Sequence, residues 1–370
     1  MGYNFYLCEK FRNEKIRNMR NPFKYGTIVE DEFFTDRQQE LQEIVRTMNS
    51  ENHLILISPR RFGKSSLVMK AMKQIRRPYL IVNLQQVVST QDLATKLLKE
   101  VFKIYKWEHL KHLIRRFRVV PTISTNPMTD SIDVAFQPVV DTRVILEDVL
   151  ALLSHVSTPE RQLIVVLDEF QEVMALEKGL DKQLRAIIQS QQNLNYIFLG
   201  SQESMMEEIF ERKKSPFYHF GKLMRLAKIP REEFYDYIMQ RLPVQQEDVV
   251  TDILQFTSCH PYYTQQLASQ VWELMTYENV KEQVVEVAIE RLTQAHDLDF
   301  ERMWMNFNRT DKRVMQMLGK GQLPLQQSGL PTSTLFSSTK RLMKTGYIIR
   351  AAAYDIEDPF FKRWIQQNNK

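Results

Sequence analysis

The residues of this chain best suited to chemistry lie in one short stretch, Ser58-Pro59-Arg60-Arg61-Phe62-Gly63-Lys64-Ser65-Ser66. An apolar run precedes it and apolar residues at helical spacing follow it, which predicts a buried strand, a tight loop and an amphipathic helix. Gly63 lets the backbone approach a phosphate, and the helix start behind it presents free N–H groups to an anion. Lys64 places a positive charge on the β- and γ-phosphates, and the Ser65 hydroxyl is suited to ligate Mg²⁺. We therefore predict that residues 58–66 bind the phosphates of a nucleotide.

One position of the loop departs from the usual G-x-x-x-x-G-K-[ST] pattern, because Ser58 stands where the pattern begins with glycine. Serine is small, and we expect it to make the same turn. The alternative is a chance Gly-Lys-Ser at the start of a helix. The predicted strand before the loop and the helix after it favour the phosphate site.

An acidic pair follows a second apolar run further along the chain. Residues 163–167 are all apolar and predict a central strand buried on both faces, with Asp168 and Glu169 at its C-terminal end. We expect Asp168 to hold Mg²⁺, directly or through water, and Glu169 to be the base that polarises the attacking water. Such a pair can also cap a helix, but the phosphate loop in the same chain favours the catalytic interpretation.

A third strand, predicted over residues 195–200, ends in Ser201 and Gln202 before another helix. We expect a polar side chain at this strand end to lie between the phosphate loop and the acidic pair. Ser201 or Gln202 would then sense the γ-phosphate or orient water. For Ser201 the alternative is ordinary capping of the following helix.

The composition predicts a soluble protein of two or three domains, since the chain has 370 residues, of which 43% are hydrophobic and 26% charged. No apolar run approaches the roughly 18 residues of a membrane span, and the charged N-terminus lacks the apolar segment of a secretory signal. The two cysteines, Cys8 and Cys259, have no metal-ligand spacing. We therefore expect a cytoplasmic protein with two reduced thiols.

Together these motifs resemble the archaeal-type ATPase family, a branch of P-loop ATPases close to the AAA+ and STAND classes and to origin-recognition initiators. The resemblance covers most of the chain. It is carried by NPFKYG at 21–26, FTDRQQEL at 34–41, the phosphate loop, LDEFQ at 167–171, LGS at 199–201, HPYY at 260–263 and YDIEDPFFKRW at 354–364. It implies ATP and Mg²⁺ as ligands. It also implies an α/β fold with an AAA+-like parallel sheet core, an α-helical lid and a C-terminal winged helix.

Three domains follow from this resemblance and from the pattern of predicted elements. A P-loop core with its N-terminal segment spans 1–230, a helical lid 231–298, and a winged helix-turn-helix 299–370. We predict core strands near 53–58, 79–84, 163–167, 195–200 and 223–229. A long insertion is expected to be helical over 92–118, with an edge hairpin within 119–137, and is interpreted as a solvated decoration. ATP is expected between core and lid, near His260 and Pro261, although these two residues can also be only a cap and a helix start.

The C-terminal domain is the candidate nucleic-acid reader. Residues 301–370 carry 12 basic and 5 acidic residues, whereas the whole chain has a net charge of +5. The predicted recognition helix presents polar groups suited to phosphates and base edges: Ser337, Ser338, Thr339, Lys340, Arg341 and Lys344. The alternative, which winged helices in relatives often illustrate, is a protein-interaction or autoinhibitory module.

Two further positions depart from the family pattern. Cys259 stands where the lid motif usually has glycine, and Lys222 follows Gly221 where relatives often carry an arginine finger. A lysine cannot make the bidentate contact of an arginine with the γ-phosphate, so we expect slow hydrolysis.

The prediction is an ATP-binding P-loop ATPase that hydrolyses ATP slowly to ADP with Mg²⁺ and acts as a nucleotide-driven conformational switch. Two alternatives come from other classes: a DNA-binding initiator or regulator that uses the winged helix on duplex DNA, and a non-hydrolysing, nucleotide-gated module for a protein partner. A homo-oligomer is compatible with each, and a membrane partner is not expected. The choice of ATP over GTP rests on the resemblance.

Overall fold

The computed structural model describes residues 20–29, 33–34, 37–126, 131–139, 141–322, 331–350 and 353–368. Cys8, and residues 35–36 within the motif at 34–41, lie outside them. The chain divides into two compact units. We call Arg37–Pro59 with Lys64–Leu226 the core unit, and Met1–Asp36, Arg60–Gly63 and Ala227–Lys370 together the C-terminal unit.

The helices and strands alternate in the first part of the chain, and helices dominate the second. The strands are β1 (Leu54–Ile57), β2 (Tyr79–Asn83), β3 (Thr122–Asn126), β4 (Ser131–Ala135), β5 (Leu163–Asp168), β6 (Leu194–Gly200), β7 (Lys222–Arg225), β8 (Ile348–Arg350) and β9 (Tyr354–Ile356). The helices of the core unit are α1 (Gln38–Met48), α2 (Lys64–Ile75), α3 (Thr90–Ile104), α4 (Trp107–Ile114), α5 (Arg143–Val156), α6 (Val173–Leu176), α7 (Leu180–Ser190) and α8 (Glu203–Phe210). Those of the C-terminal unit are α9 (Arg231–Met239), α10 (Glu247–Thr257), α11 (Pro261–Tyr277), α12 (Val284–Ala295), α13 (Asp297–Asn306), α14 (Arg309–Gly319), α15 (Thr332–Lys344) and α16 (Pro359–Asn368).

A five-stranded parallel sheet in the order β2-β5-β6-β1-β7 forms the centre of the core unit. Residues 163–167 of β5 and all of β6 are buried, as apolar strands covered on both faces must be. The predicted α/β fold with a parallel sheet is confirmed. Because β6 lies between β1 and β5, the carboxyl ends of these three strands meet at one edge of the sheet.

A half-buried arginine, Arg77, fixes the opposite edge of the sheet. The Arg77 guanidinium donates to the Gln162 carbonyl at 3.0 Å and to Asn195 Oδ1 at 2.7 Å. The Asn195 amide in turn donates to the backbone carbonyls of Ser50 and Asn52, at 2.8 and 3.0 Å. These bonds join the starts of β5 and β6 to the loop before β1, so the register that positions the other edge is fixed.

Two predicted elements of the core unit differ from the structure. The strand expected over 223–229 ends at Arg225, because its partner β1 ends at Ile57 and the last bond runs from the Leu226 amide to the Ile57 carbonyl. The helix expected over 92–118 is broken into α3 and α4 at Tyr105, whose backbone is extended and whose buried hydroxyl donates to the Val156 carbonyl. The edge hairpin within 119–137 is present as the antiparallel pair β3–β4.

The C-terminal unit is helical and has one apolar core. Buried side chains of the segments predicted as lid and as winged helix-turn-helix belong to the same cluster. The rings of Phe256, in the segment predicted as lid, and Phe360, in the segment predicted as tail, lie 5.3 Å apart. Lid and tail therefore pack as one body. No helix among the described ranges has the length and apolar character needed to cross a bilayer.

Helix α15, the predicted recognition helix, turns several of its polar residues inward. Ser338 and Thr339 are buried, and Asp311 of α14 binds both the Ser338 hydroxyl and the Arg341 guanidinium. They lie there because the apolar face of the helix, with Leu335 and Leu342, carries neighbouring positions inward at helical spacing. The prediction that Ser338 and Thr339 are available to a nucleic acid is wrong. Ser337, Lys340, Arg341 and Lys344 are exposed, and of the three cations Arg341 is paired with Asp311.

Candidate nucleotide site

The phosphate loop connects β1 to α2, and α2 begins at Lys64. Gly63 has φ +85° and Arg61 has φ +64°, so two loop residues adopt the left-handed conformation, and glycine adopts it without strain. Ser58 is fully buried and has an ordinary negative φ. Its amide donates to the Gly200 carbonyl at 3.3 Å, which extends the strand pairing. The position where the pattern has glycine therefore makes no demand here that serine cannot meet.

The Lys64 ammonium is buried at the start of α2. It lies 3.3 Å from the Ser58 carbonyl oxygen, and 3.4 Å from both the Ser58 hydroxyl and the Pro59 carbonyl oxygen. The loop therefore curls around the side chain that the sequence assigns to the phosphates. Of the other loop residues, Arg60 is exposed, and Ser66 is buried within the first turn of α2.

Ser65 and Asp168 meet at the carboxyl edge of the sheet. The Ser65 hydroxyl donates to Asp168 Oδ2 at 3.3 Å. Burial, followed by repulsion from Glu169, raises the pKa of Asp168, although Lys64 and Ser65 oppose the shift. A bound cation would lower that pKa. A hydroxyl and a carboxylate are the oxygen ligands that Mg²⁺ takes when nucleotide phosphates and water complete its shell, so the two residues fit the predicted metal role.

Glu169 is held tightly next to them. Its Oε2 accepts hydrogen bonds from the Ser201 hydroxyl at 2.6 Å, from the Ser201 amide at 3.3 Å and from the Gln171 amide at 2.6 Å. Burial raises the pKa of Glu169, but the bonds from Gln171 and Ser201 and the charge of Lys64 outweigh it, so the net pKa lies below its usual value. Glu169 is thus a well-ordered, ionised and weakly basic carboxylate.

The end of β6 thus contributes Ser201 but not Gln202 to this group. The helix after it, α8, has Gln202 at its N-cap with no side-chain capping bond, so Ser201 does not act as the cap. Sequence reasoning missed Gln171, although it lies only two residues after Glu169. It also missed Glu203, whose pKa burial raises and to which the charges of Arg225 and Lys64 are close enough to oppose that rise.

Lys222, the residue at the expected arginine-finger position, lies at the other end of the sheet. Lys222 pairs in register with Leu54, at the start of β1, and its ammonium lies 2.9 Å from Glu43 Oε1. Arg225 pairs with Ile57, at the loop end of β1, and forms ion pairs with Glu207 of α8 and with Glu211, the residue that follows this helix. Arg225 is in the strand, as predicted, but at the edge where the phosphate loop begins.

The tip of the loop, Arg60–Gly63, belongs to the C-terminal unit, where Arg61 is bound by two tyrosines. The Arg61 guanidinium donates to the Tyr263 hydroxyl at 3.1 Å and lies 4.6 Å from the centre of the Tyr262 ring. The Tyr263 hydroxyl donates to Glu357 Oε2 at 2.7 Å, next to the start of α16. A chain of contacts therefore runs from the loop tip through the lid to the tail.

His260 belongs to the same group of contacts, and Pro261 follows it in the chain. We call Arg61, Phe62, His260, Tyr263 and Glu357 the loop-tip cluster. His260 Nδ1 accepts the Tyr262 amide at 3.2 Å, so the side chain caps α11, and Pro261 is the first residue of that helix. The Phe62 ring packs edge-on to the imidazole at 4.8 Å, and His260 Nε2 lies 3.2 Å from Glu357 Oε1. Burial lowers the pKa of His260 despite Glu357, which keeps the ring neutral.

Comparison with known proteins identifies the family. Residues 34–267 match the ATPase domain predominantly from Archaea. The chain belongs to this family. It is an ATPase of the P-loop, AAA+ type, and it binds nucleotide. No curated protein sequence matches the chain.

Solved structures share the fold of this archaeal-type ATPase. The Walker-type ATPase PABY2304 of Pyrococcus abyssi has a TM-score of 0.66 at 14% identity, over 93% of this chain and 99% of that one. The ORC2 protein of Aeropyrum pernix, in ADPNP–ADP complexes, has a TM-score of 0.58 at 13% identity, over 94% and 96% of the two chains. The ORC1 protein of the same organism, in complex with DNA, has a TM-score of 0.51 at 12% identity, over 91% and 93%. At these identities the likeness concerns the fold alone.

Proposed function

We propose that this ATPase hydrolyses ATP slowly in a Mg²⁺-dependent reaction, and that its nucleotide state switches the conformation of the C-terminal unit. The observation that carries the proposal is the group at the carboxyl edge of the sheet. There Lys64, Ser65, Asp168, Glu169 and Ser201 come together from three strand ends, which is the set of charges and oxygen ligands that phosphoryl transfer to water requires.

Each residue has a role that its surroundings allow. Lys64 would leave the loop carbonyls for the β- and γ-phosphates, while Ser65 and Asp168 would hold Mg²⁺. When bound, the cation neutralises charge on the phosphates. Glu169 would orient the attacking water and accept its proton, and Ser201 would fix the carboxylate in place. Gln202, which also stands at this strand end, remains a candidate to sense the γ-phosphate.

Slow turnover follows from the same contacts. A carboxylate that accepts three hydrogen bonds and has a lowered pKa takes a proton less readily than an ordinary glutamate. In addition, Lys222 offers no bidentate cation for the γ-phosphate, and it is already paired with Glu43. Both features favour an enzyme whose nucleotide state persists.

The loop-tip cluster supports the switch. Phosphates on the loop would compete with Tyr263 for the Arg61 guanidinium, and loss of that bond changes the environment of Glu357 at the start of α16. A ligand shifts a conformational equilibrium only through such differential contacts. The C-terminal unit would thus report whether ATP, ADP or no nucleotide is bound, with His260 and Pro261 as part of the sensing region.

ATP turnover tests the hydrolysis. We expect Mg²⁺-dependent phosphate release that Lys64→Ala abolishes together with ATP binding, while Lys182→Ala, an exposed control, changes neither. Mg²⁺-independent release, or release by the Lys64→Ala variant at the wild-type rate, would contradict the proposal. Tight ADP retention with negligible wild-type turnover would instead favour the non-hydrolysing module for a protein partner.

Hydrogen exchange tests the switch. We expect ATP to change amide protection at the start of α16 in the wild type and to leave it unchanged in Tyr263→Phe, which keeps the ring but loses the hydroxyl that joins Arg61 to Glu357. Tyr277→Phe, at an exposed position of the same helix, is the control. A wild-type response that persists in Tyr263→Phe would remove the cluster from the mechanism.

A DNA-binding initiator remains the second candidate. One structural neighbour, ORC1, is in complex with DNA, and the C-terminal residues carry a basic excess. The burial of Ser338 and Thr339 and the ion pair of Arg341 with Asp311 weaken the assignment of α15 as the reader. DNA-stimulated turnover would favour this candidate.

A further inference from the structure

We propose that α4 and the turn after it form a binding surface for the phosphate backbone of duplex nucleic acid. We call this the α4 surface and define it by four cations and two imidazoles: Lys106, His109, Lys111, His112, Arg115 and Arg116. All six residues are exposed. The surface belongs to the core unit and is distinct from the helix that the sequence suggested as a DNA reader.

The helix is anchored so that these side chains point outward. Leu110 and Ile114 of α4 are buried in the apolar core of the unit. At helical spacing, the opposite face carries Lys111, Arg115 and the two histidines. The aliphatic side chains Leu110 and Ile114 are therefore not available to a partner, and what the helix offers is charge together with the exposed ring of Trp107.

The four cations differ from other cations of the same segment in having no acidic partner. Arg118 pairs with Glu147 and Asp148, Lys103 with Glu100, and Lys99 with Asp133. By contrast, Lys106, Lys111, Arg115 and Arg116 form no ion pair with any acidic residue in the described part of the chain. Glu108 is the acidic residue within α4, and in sequence it lies among these four unpaired cations.

The local charge is large for this protein. Residues 99–118 contain seven basic and two acidic residues, a surplus of five. The net charge of the whole chain is also +5, so the remaining residues together are neutral. A cationic patch concentrated in one short segment attracts a polyanion over roughly a Debye length, about 8 Å at physiological salt.

Helix stability alone does not account for these charges. Cations in the last turn of a helix interact favourably with its dipole, which explains Lys111 and Arg115 in part. Lys106, however, precedes the first turn, where the dipole disfavours a cation. One or two cations near the C-terminal end would suffice to stabilise the helix dipole, and the α4 surface has four cations.

Duplex nucleic acid fits the surface better than the other polyanionic partners. The eight residues of α4 extend about 12 Å, and phosphates of one strand rise about 3.4 Å per base pair, so the cations span three or four phosphates. A membrane would require an apolar face to insert, whereas Leu110 and Ile114 are buried and Trp107 alone is no such face. An acidic protein surface is the remaining alternative, and the experiment below separates it.

The test measures binding of the full chain to a fluorescein-labelled 20-base-pair duplex of mixed sequence by fluorescence anisotropy, from about 50 to 200 mM salt. The variant combines Lys111→Ala, Arg115→Ala and Arg116→Ala. We expect its affinity to fall about tenfold or more, and the slope of log K against log[salt] to decrease by about three, since each lost phosphate contact removes about 0.9.

A matched variant in the C-terminal unit removes the same number of charges: Lys340→Ala, Lys344→Ala and Arg350→Ala. We expect this variant to keep most of the affinity. Thermal unfolding and ATP turnover without DNA should be unchanged in the α4 variant, which shows that it is folded. Absence of wild-type binding, equal loss in both variants, or loss only in the C-terminal variant would overturn the proposal. So would displacement of the duplex by poly-L-glutamate at an equal concentration of charge, which would point to an acidic protein.

Discussion

Two half-buried glutamates of this ATPase, Glu169 in the core unit and Glu357 in the C-terminal unit, have contrasting surroundings. Glu169 accepts three hydrogen bonds from Ser201 and Gln171, both of which follow strands at one edge of the sheet. Glu357 accepts one bond from Tyr263 and faces the neutral ring of His260. The first lies among local motifs that carry chemistry. The second joins three segments that are far apart in sequence.

The difference suggests a division of labour between the two units. Under the proposed function, the carboxylate of Glu169, near Lys64 and Asp168, would act on a phosphate. The carboxylate of Glu357, linked through Tyr263 to Arg61 of the loop tip, would respond to that phosphate. Chemistry and response would then depend on different acidic residues, and matched substitutions can separate them.

The largest expected effect comes from neutralising each glutamate in turn. Glu169→Gln should lower ATP turnover by about 100-fold or more while ATP binding is kept, because an amide cannot accept the proton of the water. Glu357→Gln should lower turnover by less than about tenfold, since Glu357 is not one of the residues proposed to act on the phosphates or the attacking water. Steady-state turnover and nucleotide titration of both variants measure this, with Glu160→Gln as an exposed control. Equal losses in the two variants would erase the distinction.

The next largest effect concerns the pH dependence of stability in the C-terminal unit. Burial, opposed by capping bonds from the Phe361 and Phe360 amides and reinforced by repulsion from Glu357, raises the pKa of Asp358 from 3.8 to about 6. The native state therefore keeps this proton to higher pH than the unfolded chain. The resulting stabilisation is complete below about pH 4 and is lost as the pH rises through about 6.

Asp358→Asn tests whether stability decreases with rising pH as predicted, because asparagine caps α16 equally well but cannot ionise. At pH 7.5 we expect the free energy of unfolding of Asp358→Asn to exceed that of the wild type by about 2 kcal/mol. This is less than the free energy equivalent to the whole pKa shift, because the Asp358 side chain is only partly shielded from solvent. Below pH 4 wild type and variant should coincide. Urea unfolding at several pH values measures both. A variant that is less stable than wild type at pH 7.5 would show that the carboxylate is needed as an anion.

In the core unit, the corresponding pH effect is kinetic. The Ser201 hydroxyl helps to hold the pKa of Glu169 below its usual value, so Ser201→Ala should raise it. Since Glu169 must be ionised to accept a proton, the acidic limb of the pH–turnover profile should move to higher pH. Ser204→Ala, at an exposed position nearby, should leave the limb in place. An unchanged limb in Ser201→Ala would mean that Glu169 does not control the profile.

The smallest expected effect lies at the C-terminal end of α10. Ser258 and Cys259 have φ values of +49° and +58°, two consecutive residues in the left-handed conformation that favours glycine. Cys259→Gly removes the strain and should raise the free energy of unfolding by about 1 kcal/mol, as measured by urea unfolding. Cys259→Ala, which keeps a Cβ atom, should give no such gain. A gain of equal size in both variants would assign the effect to the thiol instead.

Sequence patterns predicted the core unit well because its site is assembled from short local signals. Each strand of β1, β5 and β6 is followed at once by the polar residues that matter, and parallel strands bring their carboxyl ends to one edge. Residue types and spacing therefore predict Lys64, Ser65, Asp168 and Glu169 as site residues, and the structure brings the four side chains close together, while their roles stay a prediction. Gln171 was missed because nothing in a sequence states that its amide turns back to Glu169.

The same patterns were less informative about the C-terminal unit. Helical periodicity indicated the helices, but not which polar positions of α15 face inward or that Asp311 of α14 binds Arg341. The lid and the tail were read as separate domains, yet their buried side chains form one core.

What the sequence determined by itself is which residue types stand at the strand ends: a loop of the phosphate-binding type, a hydroxyl and a carboxylate suited to Mg²⁺, and an acidic residue behind a strand. Only the tertiary structure decided which distant groups meet. The contact of Arg61 with Tyr263 and of Tyr263 with Glu357, and the absence of acidic partners for the described cations of α4, depend on how helices pack. The physical reason is that hydrogen bonds and ion pairs act over a few ångströms, a separation that packing sets and sequence distance does not.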